Sequence, residues 1–139
     1  MPVLVVGSVA FDSIETPFRA RQEVVGGAAT YFALAASYFT RVQVVGAVGG
    51  DFGPEHMAIL DRRGIDLRGL VRMEGATFRW AGRYSYDLNT RDTLDTRLGV
   101  FEKFNPTLRE EHRRPDYLFL GNIDPEIQLG VVRQVKRPR

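Results

Sequence analysis

The sequence has 139 residues but no cysteine, and it contains no apolar run that approaches the ~18 residues needed to span a bilayer. Without cysteine, neither a disulfide framework nor a thiolate metal site can form. The N-terminus also lacks the basic start and apolar core of a secretory signal peptide. These absences predict a cytoplasmic protein with no membrane partner.

Two sequence motifs of nucleotide-binding proteins are absent as well. There is no GxxxxGK[ST] phosphate loop, and neither VVGSVAFD nor VVGAVGGDFG matches the GxGxxG pattern of dinucleotide-binding folds. A dinucleotide-dependent oxidoreductase is therefore the less favoured alternative. The two histidines, His56 and His112, have no metal-ligand partners at suitable spacing and lie in polar stretches. We expect both on the surface and predict no metal site.

The charge pattern does not favour a nucleic-acid partner. The 19 Lys and Arg residues nearly balance the 17 Asp and Glu residues, which leaves a net charge of +2. Bases alternate with acids, as in REEHRR at 109–114, whereas a nucleic-acid surface would be a basic stripe interleaved with aromatic residues. With 44% hydrophobic and 26% charged residues, the composition is that of an ordinary globular domain of this length.

Short apolar runs predict three strands that are buried on both faces, as is typical of parallel sheets. They are VLVV at 3–6, VQVVGAV at 42–48 and YLFL at 117–120. Helices are predicted from about Ala28 to Phe39, from Pro54 towards Gly64 and after Asp124 as N-cap, with a short helical turn at 107–110. Strands that alternate with helices predict an α/β fold with a mainly parallel sheet.

The middle of the chain has a different pattern. In TFRWAGRYSYDL, large apolar residues occupy alternate positions: Phe78, Trp80, Tyr84, Tyr86 and Leu88. Polar residues fill most of the positions between them, which predicts an antiparallel ribbon with one wet face. A second strand over 94–104 would complete a hairpin-like insertion of about residues 70–104.

The last predicted helix has no strand after it. In βαβ folds such a helix is a crossover, and a crossover requires a strand on its far side. We therefore expect residues 1–139 to be the front part of a larger domain.

Candidate ligand-binding residues follow the predicted strands. Asp12 comes after the first strand, where the carboxyl ends of parallel strands form the usual ligand crevice. Its carboxylate could accept hydrogen bonds from sugar hydroxyls, or it could be an exposed turn residue. Gly26 and Gly27 begin a helix after the charged stretch RARQE. Glycine allows a ligand to approach the free N–H groups of a helix start, although a plain tight turn is an equal alternative.

A third candidate is Asn122, which follows the third strand in FLGNIDP and could direct its amide into the same crevice. Asp124 is better explained as a helix cap. The sequence contains no Ser-His-Asp constellation that would support nucleophilic catalysis.

These segments, in this order, resemble the ribokinase-like (PfkB) family of carbohydrate kinases. The resemblance depends on VVGSVAFDSI, VVGGAATYFALAASYF, VQVVGAVGGDFGPE and then GID. The run from Gly26 to Gly53 looks like the first signature of that family, a glycine-rich helix start followed by a strand and a glycine-aspartate turn. The resemblance covers the whole chain but only the N-terminal half of a family member. It implies a ribokinase-like three-layer α/β fold with a small antiparallel β lid.

The family transfers the γ-phosphate of ATP, with Mg²⁺, to a hydroxymethyl group of a sugar or nucleoside. By resemblance, Asp12 would bind substrate hydroxyls, and Gly26 and Gly27 would let the sugar approach the backbone. The ribbon with Phe78 and Trp80 looks like the family's lid, which covers the sugar and packs between subunits in several members. This implies a possible homodimer, while a ribbon that closes its own small core is the alternative.

Two departures from the family pattern limit what the resemblance implies. Many relatives carry an asparagine where this chain has Tyr31, and a tyrosine cannot replace the paired donor and acceptor of an amide. Tyr31 could instead stack on a base or narrow the pocket. The family's catalytic G-A-G-D-like segment and its ATP site belong to the second half and do not occur here. We therefore expect a sugar- or nucleoside-binding half of a kinase that is inactive alone, with a non-catalytic binding module or remnant as the alternative.

Overall fold

Two four-stranded sheets organise residues 2–136, the part of the chain that the computed structural model describes. In chain order the strands and helices are β1 Val3–Val6, β2 Ala10–Glu15, β3 Ala20–Gly26, α1 Ala28–Ala36, β4 Val42–Val48, α2 Pro54–Asp61, β5 Asp66–Arg72, β6 Phe78–Tyr84, β7 Arg91–Arg97, β8 Tyr117–Leu120 and α3 Pro125–Val132. Short 3₁₀ helices span Gly99–Lys103 and Glu110–His112. None of the helices in the described part is long and apolar enough to cross a membrane.

The first sheet, sheet A, is entirely parallel, with the strand order β5-β4-β1-β8. Its central strands are apolar on both faces because each face is covered. Val5 and Val44 pack with the buried residues of α1 and α2, whereas Leu4 and Val45 pack with α3 and the segment around Phe104. Sheet A and its two covering layers confirm the predicted α/β architecture and the three predicted apolar strands.

Sheet B has the order β3-β2-β6-β7, in which β2 and β6 are parallel and the two outer pairs are antiparallel. The predicted ribbon is part of this sheet. Its second strand is Arg91–Arg97 and not 94–104, because the chain turns into a 3₁₀ helix at Gly99–Lys103. Four of the five residues of the charged stretch RARQE belong to β3, an exposed edge strand, and only Arg19 lies outside it.

The chain passes between the two sheets four times, through residues 7–9, 27–41 (which include α1), 73–77 and 98–116. Three of these crossings contain a glycine with positive φ: Gly27 (94°), Gly75 (128°) and Gly99 (54°). Residues 66–72 form β5 at the edge of sheet A, and the crossing to sheet B follows at once. Strands β2, β3 and β5 were not predicted from the sequence.

The helix ends agree with the predictions in part. Asp124 is the N-cap of α3, and its carboxylate accepts a 2.7 Å hydrogen bond from the Glu126 N–H. Helix α1 ends at Ala36, after which Tyr38 and Phe39 continue only as turns with i→i−3 hydrogen bonds. The short helical turn begins after Arg109 rather than at the expected Thr107.

Both histidines differ from the expected surface placement. His112 is fully buried, and neither ring nitrogen has a hydrogen-bond partner among the described residues. His56 is partly buried, its Nδ1 accepts a 2.9 Å hydrogen bond from the Gly53 N–H, and its ring packs edge-on against Phe11. The burial of the two histidines could not be predicted from their charged neighbours in sequence, because it depends on tertiary contacts.

Candidate functional site

A cavity of about 370 Å³ lies where sheet B meets the start of α1 and the end of β8. All the sequence-predicted site residues except Gly26 line it, and Ser8, Tyr84 and Arg91 are among the other residues of its wall. The structure thus brings together segments that are far apart in the chain: Asp12, Gly27, Tyr31, Phe78, Trp80 and Asn122. We refer to this cavity as the Asp12 cavity.

Asp12 is the buried carboxylate of the cavity, with a side chain and backbone that together are 8% exposed. It lies within β2 and not in a turn, so the alternative of an exposed turn residue is wrong. The Tyr31 hydroxyl donates a 3.2 Å hydrogen bond to its Oδ2, and the Gly27 N–H donates another. Burial raises the pKa of Asp12 above its usual value, and these hydrogen bonds oppose that shift only in part.

Tyr31 connects α1 to the carboxylate. Its ring is half-exposed, while its hydroxyl contacts Asp12. Burial and the nearby negative charge of Asp12 raise the pKa of the Tyr31 phenol. The phenol therefore stays protonated at neutral pH and acts as a hydrogen-bond donor to the carboxylate.

Gly26 and Gly27 are required by contacts within the chain. A Cβ on Gly26 would collide with the carboxylate of Asp12, and one on Gly27 would collide with the backbone oxygen of Ser8. Gly27 also has φ 94° and ψ 153°, a conformation that L side chains rarely adopt. The bare backbone thus brings the helix start against β2 and against the loop after β1.

Ser8 is a residue of the cavity that the sequence analysis missed. Its Oγ accepts a 3.0 Å hydrogen bond from the Ala28 N–H, and its backbone oxygen accepts one of 3.0 Å from the Ala29 N–H. These N–H groups at the start of α1 were expected to be free for a ligand, but Ser8 satisfies them. The sequence signal that could have identified Ser8 is a serine two residues after the end of a buried strand.

An aromatic wall lies beside Asp12 on the same face of sheet B, because Asp12 of β2 is paired with Trp80 of β6. Phe78, Trp80 and Tyr84 extend from one face of β6, as the alternating pattern predicted. Trp80 lies over Gly82, where any side chain would collide with the indole. The guanidinium of Arg91 lies 5.3 Å from the centre of the Trp80 ring, and no sequence motif indicated its presence there.

Asn122 lies just beyond β8, on the wall shared by the Asp12 cavity and a neighbouring cavity of about 480 Å³. Ser8 and Phe78 also line both cavities. Phe78 stacks on Phe101 with ring centres 5.5 Å apart, so this ribbon residue is supported from within the chain.

A charged cluster holds sheet B against the loop after β4, outside the cavity. Arg79 donates 2.7 Å hydrogen bonds to Asp51 Oδ2 and to Glu23 Oε1. Asp51 also accepts hydrogen bonds from the N–H and the hydroxyl of Thr77. Partial burial alone would raise the pKa of Asp51, but the bonds from Thr77 and Arg79 outweigh it and lower the pKa.

The described residues offer no ligand set for Mg²⁺, and Ser8 bonds the first two N–H groups of α1. Within residues 2–136 no group of three or more His, Asp or Glu side chains could hold a metal ion. The N–H groups of Ala28 and Ala29 at the start of α1, which could have contacted a phosphate, donate hydrogen bonds to Ser8 instead.

No family model matches the sequence, and no curated protein matches it either. Solved structures do match. The nucleoside kinase of Methanocaldococcus jannaschii, an archaeal member of the ribokinase family, superimposes with a TM-score of 0.74 at 19% sequence identity, over 99% of this chain and 50% of that one.

Two further kinases have the same fold. The ribokinase of Cryptococcus neoformans var. grubii serotype A, solved in complex with ADP, gives a TM-score of 0.71 at 20% identity, over 91% of this chain and 44% of that one. The Burkholderia thailandensis nucleoside kinase in complex with inosine gives a TM-score of 0.64 at 20% identity, over 73% of this chain and 36% of that one. The protein therefore has the ribokinase-like fold, and its 139 residues span about half the length of the ribokinase-family kinases that it resembles.

Proposed function

We propose that this chain is the acceptor-binding half of a PfkB-type kinase that transfers a phosphoryl group from ATP to a hydroxymethyl group of a sugar or nucleoside. The observation that carries the proposal is the Asp12 cavity, in which a buried carboxylate lies beside an aromatic wall within a ribokinase-like fold. Since the proposed reaction uses ATP, the kinase would work in the cytoplasm.

Asp12 is suited to bind substrate hydroxyls. A carboxylate has two oxygens with about four lone-pair sites, and Tyr31 and Gly27 occupy two of them. The remaining sites can accept hydrogen bonds from two vicinal hydroxyls of a sugar ring. Asn122, two residues beyond β8, also lines the cavity and would add an amide contact.

The aromatic wall favours a nucleoside over a simple sugar. Trp80 and Tyr84 line the cavity together with Tyr31, and planar rings of this kind stack on bases. The inosine complex of the Burkholderia kinase supports this choice, because that protein has the same fold. Sheet B would cover the bound acceptor, and its exposed outer residues on β7 would be available for a homodimer contact.

The chemical step would need groups beyond those of the proposed acceptor site. Phosphoryl transfer depends on positioning and on charge stabilisation of the transferred group. We propose that a second half of the protein supplies the base, the anion hole and the sites for ATP and Mg²⁺. The 139 residues alone would then bind the acceptor without phosphorylating it.

Trp80 is the only tryptophan of the chain and lies in the cavity wall, so its fluorescence reports on ligand binding. We expect saturable quenching by inosine, and weaker quenching by ribose. Asp12→Asn should weaken inosine binding about tenfold or more, because hydrogen bonds to a charged group are lost. The exposed Asp116→Asn variant serves as the control and should bind like the unmodified chain.

Absence of inosine and ribose binding would refute the proposed acceptor site. Saturable binding without any ATP-dependent phosphorylation by the 139-residue chain agrees with the proposal. Measurable phosphorylation by this chain alone would show that the proposed division of the site between two halves is wrong.

A further inference from the structure

A third cavity, of about 200 Å³, lies between strands β4 and β5 of sheet A and the segment 103–112. It shares no lining residue with the Asp12 cavity or its neighbour. Its walls are largely apolar: Val45, Val71, Met73, Phe104, Pro106 and Leu108. We call it the His112 cavity, because the fully buried ring of His112 also lines it.

His112 is held in the cavity wall with unused hydrogen-bonding capacity. Both ring nitrogens are buried and have no hydrogen-bond partner among residues 2–136. The carboxylate of Asp66 is 4.0 Å from Nε2, but it is engaged by Arg68 at 2.6 Å. Gly69 permits the close approach of the ring, since a Cβ there would lie 3.0 Å from Cε1 of His112. A buried polar group without a partner is costly, and a ligand that supplies one would remove that cost.

The mouth of the cavity is positively charged. Lys103 and Arg109 both line it, and both are exposed. Lys103 has no ion-pair partner among the described residues, and the nearest acid to Arg109 is Glu111 at 4.0 Å. The anionic groups close to His112, Asp66 and Glu111, are both paired with Arg68. The net charge available to a ligand at the mouth is therefore positive.

We propose that the His112 cavity binds a small aromatic carboxylic acid that carries a hydrogen-bonding group opposite its carboxylate. The apolar walls enclose the ring, Lys103 and Arg109 attract the carboxylate, and His112 bonds the polar group at the inner end. The size is suitable, because an engineered cavity of about 150 Å³ in another protein holds benzene. This site is independent of the proposed kinase function and lies apart from the acceptor cavity.

The test uses 4-hydroxybenzoate and benzoate as probes, and NMR of the ring resonances of the two histidines in the full 139-residue chain. We expect millimolar 4-hydroxybenzoate to shift the His112 resonances saturably. The resonances of His56, which belongs to α2, should not move and serve as the internal control. Benzoate should bind about threefold to tenfold more weakly, because it cannot bond the imidazole.

Three variants locate the site. Val71→Trp should abolish binding, whereas Val132→Trp, at a similarly exposed valine outside the cavity, should not. Lys103→Gln should weaken both probes about twofold to fivefold, and Lys136→Gln, the only other lysine, should leave them unchanged. His112→Phe should remove the preference for 4-hydroxybenzoate over benzoate.

The proposal is overturned if neither probe shifts His112, or if the two histidines shift equally. It is also overturned if Val71→Trp and Val132→Trp bind the probes alike. Because Val71 and Lys103 are exposed, these variants test the site even where His112→Phe fails to fold.

Discussion

The phenol of Tyr31 and the carboxylate of Asp12, which are 19 positions apart in sequence, meet at 3.2 Å in the wall of one cavity. Their contact links helix α1, which packs on sheet A, to strand β2 of sheet B. Each group changes the ionisation of the other: the carboxylate helps to raise the pKa of the phenol, and the hydrogen bond helps to lower the pKa of Asp12.

Replacing Tyr31 with Phe should therefore raise the pKa of Asp12 further. Burial, the largest cause of the present upward shift, would remain, while one of the opposing hydrogen bonds would be lost. The cost in unfolding free energy should be about 1 kcal/mol. A carbon-13 NMR titration of the aspartate carboxyl groups measures the pKa directly. An Asp12 pKa that is unchanged in Tyr31→Phe would contradict the role given to this hydrogen bond.

Gly27→Ala should destabilise the protein by about 2 kcal/mol or more, because a left-handed φ and a collision with the Ser8 oxygen act together. Gly50→Ala is the matched control, since a Cβ there would meet nothing within 4 Å. Urea denaturation of the two variants gives the difference. Equal stability of Gly27→Ala and Gly50→Ala would show that the helix start does not need glycine.

Arg79→Met should lower the unfolding free energy by about 1 to 2 kcal/mol and raise the pKa of Asp51, because two short charge-assisted bonds are lost. Arg97→Met removes a more exposed arginine that pairs only with Asp95 among the described residues, and it should cost much less. Urea denaturation at low and at high salt measures the unfolding free energies of the two variants. If the two variants lose the same stability, the cluster around Asp51 does not hold sheet B in place.

The stability of the protein should fall when the pH decreases through the ordinary titration range of histidine. Burial lowers the pKa of His112, so the unfolded chain binds a proton in a pH range where the folded protein does not. The stability that the neutral His112 contributes is fully present above the pKa of about 6.5 that histidine has in the unfolded chain. It decreases as the pH falls towards the lower pKa of His112 in the folded protein. His112→Phe should therefore show a smaller loss of unfolding free energy between pH 7.5 and pH 5. Identical pH profiles for the two proteins would contradict the burial of a neutral imidazole.

The parts of the fold that were predictable are those in which a local pattern reports burial on its own. The strands β1, β4 and β8 are apolar runs covered on both faces, and Asp124 with Pro125 forms a recognisable helix start. Strand β3 could not be predicted, because most of its residues are exposed and its pairing with β2 alone keeps it extended. The bounds of strand β7 could not be predicted either, because all its residues are exposed and it pairs only with β6.

The sequence predicted most residues of the candidate site, but not Ser8 or Arg91 and not the internal bonding. Asp12 was identified from its position after the first strand and Trp80 from the alternating aromatic residues, whereas Tyr31 was identified only through the resemblance to the PfkB family. The capture of the helix-start N–H groups by Ser8 depends on how the loop after β1 folds back, which no local pattern reports. The burial of His112 likewise depends on Gly69, a residue 43 positions away.

The four crossings between the sheets have a mechanical consequence. Three of them contain a glycine with positive φ, and at position 27 a single residue separates β3 from α1. The crossings at 7–9 and 73–77 are only three and five residues long, and they restrict how far sheet B can slide across sheet A. At two of the crossings the backbone is also closely packed, since a Cβ on Gly27 would collide with the Ser8 oxygen and one on Gly99 with the Ala76 oxygen. Any change in the relative orientation of the two sheets would therefore have to alter the backbone at these glycines.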